Sequence, residues 1–228
     1  MNNEKYFKIT PSGVDYALRC KRCLWLSHKK IKLDAFFPPI FNSLDLIQKR
    51  FLQRQSVKIM SESLPDGRFM NELNGLIGSS VLKDNKGRSF VIVGKTDVVI
   101  EFDTKPKKYG IIDLKTTSIN PSKIENYKFQ LESYATIFEN PNAKTPKFSN
   151  VEEISLYLFE PKEITSISGK ECSMKFETLY LKGNRCGKEL INRITDILDV
   201  ITMEEPPNYN LRCASCKFVT SLIEGKYI

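Results

Sequence analysis

Apolar residues dominate two neighbouring stretches of the chain, 91–102 and 109–117, and a single aspartate interrupts each apolar run. With Phe90 included the first reads FVIVGKTDVVIEF, and the second reads YGIIDLKTT. Short runs rich in β-branched residues predict strands. Residues 103–108 (DTKPKK) are polar and carry Pro106, as a hairpin loop does. Folding there brings Asp97 and Asp113 onto neighbouring strands.

Elsewhere the period is helical. Ile124, Tyr127, Leu131, Tyr134 and Phe138 recur at three- and four-residue steps and predict a helix over 121–139. Leu190, Ile191, Ile194, Ile197, Leu198 and Ile201 do the same over 187–202, before Pro206 and Pro207 stop the element. A basic amphipathic helix is expected over 42–59, running to about Met60. Ser12 is expected to cap a short helix, with Asp15 three residues on as a partial capping box. Residues 31–40 read as irregular with a break at Pro38 and Pro39, residues 64–68 as a turn, and residues 140–148 as a loop. Residues 154–159 and 174–181 complete a sheet. The order of helix, strands, helix, strands and helix is that of an α/β domain.

The two acids carry the chemistry. A charged group inside an apolar strand is expensive unless something compensates it. Side chains alternate along a strand, so Asp113 and Lys115 share a face while Leu114 takes the other. Adjacent carboxylates repel, and a hard divalent cation with oxygen ligands removes the repulsion. Asp97 and Asp113 are therefore the expected metal ligands, with the Leu114 backbone carbonyl completing the shell. Lys115 stands ready to orient or deprotonate a water, or to balance charge on a pentacovalent phosphate. The pattern points to metal-assisted phosphodiester hydrolysis. A D-x-K triplet in an ordinary exposed hairpin is the plain alternative, and the apolar setting of both acids weighs against it.

Two CxxC pairs, Cys20 with Cys23 and Cys213 with Cys216, stand near opposite ends of the sequence. Paired spacing of this kind signals a metal site. Four thiolates in a tetrahedral arrangement serve zinc or an iron–sulfur cluster equally well. Either one makes a clasp that ties the two ends of the chain. Cys172 and Cys186 read as buried or free thiols.

Composition adds the partner. The 228 residues carry 35 basic and 27 acidic side chains, a net charge of +8 that suits a polyanion. Basic residues gather at 19–22, 29–32, 49–54 and 105–108, with Trp25, Phe36, Phe37 and Phe51 close by. Basic side chains among aromatics suit single-stranded nucleic acid, where phosphates meet lysines and bases stack. No apolar run reaches the length of a membrane span, and the N-terminus resembles no targeting peptide. A single cytoplasmic domain over 1–228 is the expectation.

At the quoted residues the chain resembles the RecB-like branch of the PD-(D/E)XK nuclease superfamily. Residues 94–97 (GKTD) look like its G-x-x-D motif, residues 113–115 (DLK) like its (D/E)-x-K motif, and Gln130 with Tyr134 (QLESY) like its Q-x-x-x-Y motif. The resemblance implies a restriction-endonuclease-like α/β core, a mixed central sheet flanked by helices, spanning about 42–202. It implies magnesium or manganese at Asp97 and Asp113, water activation by Lys115, and substrate contact or support from Gln130 and Tyr134. The branch includes CRISPR-associated exonucleases and AddB-type helicase–nuclease subunits whose ends are joined by four cysteines around a [4Fe–4S] cluster. Those place one cysteine before the nuclease motifs and three after. The resemblance favours the cluster at Cys20, Cys23, Cys213 and Cys216, while the split here is two and two, in segments 12–30 and 206–220, and the paired CxxC spacing keeps zinc as the alternative. Many members also carry a histidine ligand on a helix ahead of the first strand. The one histidine here is His28, and the corresponding helix offers Gln48 and Asp45 instead. The function implied is a metal-dependent DNA exonuclease on single strands or DNA ends, in repair, recombination or CRISPR adaptation. The rivals are a catalytically weak nucleic-acid-binding module and a non-enzymatic subunit of a DNA-processing assembly.

Overall fold

A computed structural model describes residues 6–31, 38–53, 55–70 and 75–223. In chain order the elements are β1 (Phe7–Ile9), α1 (Pro11–Ala17), α2 (Lys21–His28), α3 (Ile40–Leu52), a 3₁₀ turn (Val57–Ile59), β2 (Gly67–Phe69), β3 (Ile77–Gly78), β4 (Leu82–Lys83), β5 (Ser89–Gly94), β6 (Val98–Phe102) and β7 (Lys108–Thr116). The chain continues through α4 (Lys123–Glu139), β8 (Val151–Ser168), β9 (Glu171–Gly183), α5 (Gly187–Ile201) and α6 (Ala214–Ile223).

The larger sheet runs β2-β6-β7-β8-β9. It is mixed: β6 and β7 form an antiparallel hairpin, while β7 and β8 are parallel and joined through α4. A parallel pair needs such a crossover, and the helix covers the face it crosses. The smaller sheet sets β5 between β1, parallel, and β3 and β4, antiparallel.

Strand alternation sorts the core into two layers. Val99, Ile111, Leu156 and Leu158 pack under Leu131 and Phe138 of α4 and Leu190, Ile194 and Leu198 of α5. From the neighbouring positions Ile100, Ile112, Leu114 and Tyr157 face the opposite way, onto Leu52, Val57, Met60 and Leu64. Asp113 shares parity with Ile111, so it is delivered to the α4 side.

Several sequence expectations are corrected. The stretch 91–102 is two strands, broken at residues 95–97 and assigned to different sheets. The helix expected over 42–59 ends at Leu52. Its apolar period continues because Leu52, Val57 and Met60 all enter the same core after the chain turns. Ser12 caps nothing, since it lies inside α1 behind the cap residue Thr10. Asp15 is buried and serves a different helix. The strands expected at 154–159 and 174–181 extend into one long hairpin, whose outer residues 161–175 are exposed throughout. Cys172 sits exposed on that arm and Cys186 half-buried ahead of α5. Phe36, Phe37 and Arg54 lie outside the described residues.

Candidate functional site

Asp97 stands just outside the β6–β7 ladder, one residue before the pair Val98 and Ile112, and so opposite Asp113. Each carboxylate is held at both oxygens. The Leu114 amide donates to Asp97 Oδ2 at 3.0 Å, and the Lys49 ammonium lies 2.7 Å from Asp97 Oδ1. Gln130 Nε2 donates to Asp113 Oδ1 at 2.7 Å, and Lys115 Nζ lies 2.5 Å from Asp113 Oδ2. The Lys115 ammonium also lies 5.2 Å from the centroid of the Tyr127 ring. Asp113 is 2 % exposed. Burial pushes its carboxyl up to about 7, Lys115 pulls it down, and Asp97 adds to the rise. Burial acts to lower Lys115, but Asp113 and Asp97 outweigh it and hold the ammonium above its ordinary value.

The break at 95–97 that presents Asp97 has its own supports. The Tyr134 hydroxyl donates to the Lys95 carbonyl at 2.7 Å. A Cβ on Gly94 would stand 2.7 Å from Cδ of Pro11 and 3.4 Å from the Tyr134 ring, so the glycine admits both neighbours. Asp15, from α1, accepts from the Gln130 amide at 2.8 Å and the Phe129 amide at 3.3 Å. It therefore grips α4 at the residue whose side chain holds Asp113.

The residues present fit a hard divalent cation. Asp113 Oδ2 is buried with the Lys115 ammonium as its partner, and a carboxylate oxygen keeps a second lone pair for a cation. Oxygen donors on paired acids are what magnesium and manganese take. All five expected residues, Asp97, Asp113, Lys115, Gln130 and Tyr134, converge here, with Leu114 contributing an amide. Gln48 points elsewhere, donating to Thr116 Oγ1 at 3.0 Å. Asp45 reaches the site only through Lys49, 2.8 Å from its Oδ2. His28 lies against Phe7, at the wall of a cleft shared with Leu24 and Ile201. Lys49 and Asp15 are the residues that sequence reasoning missed. No local signal marks Lys49, whose second carboxylate comes from a distant part of the chain.

The second centre joins the chain ends. Cys20 precedes α2 and Cys23 lies within it, while Cys213 precedes α6 and Cys216 lies within it. Sulfur separations are 3.4 Å for Cys20 and Cys216, 3.5 Å for Cys23 and Cys213, and 4.0 Å for Cys23 and Cys216. All four lie within 4.8 Å of one another. Four thiolates about 2.3 Å from one ion stand about 3.8 Å apart, so the spacing fits one tetrahedral ion. Burial pushes the Cys20 and Cys23 thiols up. The Cys216 amide leads the groups that bring Cys213 down to about 7. Around the thiols, Trp25 Nε1 donates to the Met203 carbonyl at 2.9 Å, Arg22 to the Pro207 carbonyl at 2.9 Å, and Asn210 to the Arg19 carbonyl at 3.1 Å.

The sequence model of the PD-(D/E)XK nuclease superfamily matches residues 42–221. This chain belongs to that superfamily. Among solved structures, one described as "Crystal structure of SSO0001" superposes with a TM-score of 0.51 at 16% identity, covering 96% of this chain and 86% of that one. At that identity the likeness is one of fold. A search of curated proteins gives no match. Among the described residues no helix is long and apolar enough to cross a membrane.

Proposed function

We propose that the chain is a divalent-metal-dependent deoxyribonuclease of the RecB-like branch, acting as an exonuclease on single strands or DNA ends. Superfamily membership supports a nuclease-like activity on nucleic acid. The observation that carries the finer reading is the convergence of Asp97, Asp113, Lys115 and Gln130 on one buried point. Asp97 and Asp113 hold the cation, with the Leu114 carbonyl as a further donor. A bound magnesium or manganese lowers the pKa of a water and balances charge on the phosphate. Lys115, on the same face as Asp113, orients that water or takes up charge on the phosphoryl oxygens. Gln130 fixes the rotamer of Asp113, and Tyr134 holds the turn that presents Asp97. The net charge of +8 supports a polyanionic substrate.

At the cysteines the sulfur spacing favours a single zinc. In a [4Fe–4S] cluster each thiolate binds a different iron, so the ligand sulfurs are spread by the body of the cluster. Separations of 3.4 to 4.0 Å between bonded pairs weigh against that. The described cysteines are all free of disulfides, which supports a reducing, cytoplasmic setting. Repair, recombination or CRISPR adaptation are the processes in which such an activity is used, with protein partners in the same assemblies.

The test is the purified protein on end-labelled single- and double-stranded DNA with manganese, magnesium or EDTA. Asp113→Ala and Lys115→Ala should each lower cleavage by roughly a hundredfold or more while DNA binding persists. Undiminished cleavage by Asp113→Ala overturns the reading. Metal-independent binding without cleavage by the unaltered protein favours the binding-module rival.

A further inference from the structure

Lys49 belongs to none of the recognised motifs, yet it is 6% exposed. Its ammonium bridges two carboxylates, 2.8 Å from Asp45 Oδ2 and 2.7 Å from Asp97 Oδ1. A buried lysine survives only with such pairing. With both carboxylates at ion-pair distance, the ammonium divides its charge between Asp97 and Asp45.

We propose that Lys49 is the resident counter-ion of the acid pair: it competes with the divalent cation for Asp97 and so sets the metal affinity of the site. The inference rests on the reading of Asp97 and Asp113 as cation ligands. Asp45 and Asp97 bring two negative charges and Asp113 a third once it ionises, and Lys49 and Lys115 return two. Without Lys49 the cluster is more negative, and a divalent cation gains an unopposed oxygen on Asp97. Asp97 does not lose its orientation with the lysine, because the Leu114 amide still holds Oδ2. Lys49 thus acts through its charge on Asp97, and that charge works against metal loading.

Lys49→Met keeps the apolar stem and removes the charge. Manganese binding is followed by the electron paramagnetic resonance signal of free Mn²⁺, in the unaltered protein, in Lys49→Met and in Asp113→Asn. Thermal unfolding of each is recorded with and without Mn²⁺. Lys49→Met should bind Mn²⁺ at least tenfold more tightly, melt lower without metal and gain more on adding it. Unchanged or weaker Mn²⁺ binding by folded Lys49→Met overturns the counter-ion role. Should Lys49→Met not fold, Asp45→Asn carries the test, because Asp45 is only half-buried and the exchange keeps its size. Leaving the ammonium wholly to Asp97, it should weaken Mn²⁺ binding several-fold, and unchanged affinity overturns the role. Equal Mn²⁺ binding by the unaltered protein and Asp113→Asn is a separate failure, of the acid pair as the cation site.

Discussion

The acid cluster and the cysteine cluster are both candidate metal centres, and they differ in what stands around them. Asp97 and Asp113 each have an ammonium within ion-pair distance. The four thiols contact one another, with sulfur separations of 3.4 to 4.0 Å. The charge of the acids is therefore compensated by lysines of the protein itself. The thiols need a metal to become thiolates together, because burial resists ionisation of Cys20 and Cys23. On the proposed reading, one centre binds a metal for chemistry and the other is completed by it. Removing metal from each should expose the difference.

The largest effect belongs to the clasp. Stripping metal with a strong chelator, or Cys216→Ser, should forfeit folding free energy of order 10 kcal/mol from the contacts that join α2 to α6. The measurement is thermal unfolding alongside metal analysis by mass spectrometry, with one zinc per chain expected before treatment and less than half that afterwards. Mild EDTA that removes only magnesium should leave the melting temperature almost unchanged while stopping cleavage. Equal loss of stability from both treatments would erase the distinction between the two centres.

Next comes the turn that presents Asp97. Gly94→Ala places a methyl against the Pro11 ring and within reach of Tyr134, at about 3 kcal/mol because neither neighbour is a flexible chain end. Tyr134→Phe removes the hydroxyl bond to Lys95 and should cost about 1 kcal/mol. In both, cleavage should fall with stability, as Asp97 shifts away from Asp113. Denaturant midpoints and initial cleavage rates on the same preparations check this. Full activity in a destabilised Gly94→Ala would detach the turn from the site.

How far the sequence was legible follows from what each pattern encodes. The common face of Asp113 and Lys115 was readable from strand parity, whereas Gln130 came from the resemblance, and only the crossover that lays α4 on that face gives it Asp113. The clasp was readable from two CxxC pairs alone. The break at 95–97 was hidden, since apolar residues continue on both sides of it while the chain passes from one sheet to the other. The outer part of the β8–β9 hairpin was hidden for the opposite reason: with both faces wet, no alternation marks it as strand. Lys49 was beyond a local reading. A lysine on a basic helix is ordinarily a solvated charge, and only the tertiary approach of α3 to the 95–97 break gives it two carboxylates. Asp15 was read as a cap by its spacing from Ser12, when its partners lie more than a hundred residues away on α4.

Asp15 offers the finest separation of support from chemistry. Burial raises its carboxyl from 3.8 to about 6, against the pull of the Gln130 and Phe129 amides and of Arg193 and Arg19. A folded-state value above the unfolded one means that the proton is bound more tightly in the native protein. Stability from this group is then fully present below about pH 4 and is lost as pH rises through about 6. Asp113, also raised, contributes a loss in the same direction over a window reaching about 7. The two are separated by comparing the unaltered protein with Asp15→Asn. The variant loses an amide acceptor at every pH, a constant offset, but it has no proton to release. Its unfolding free energy should therefore decline less between pH 4 and 6, by about 1–2 kcal/mol, while both proteins decline alike between 6 and 7.5. Urea unfolding at closely spaced pH values measures it. Parallel curves across the whole range would mean that Asp15 titrates as an ordinary carboxylate, and that its hold on Gln130 is set by hydrogen bonding alone.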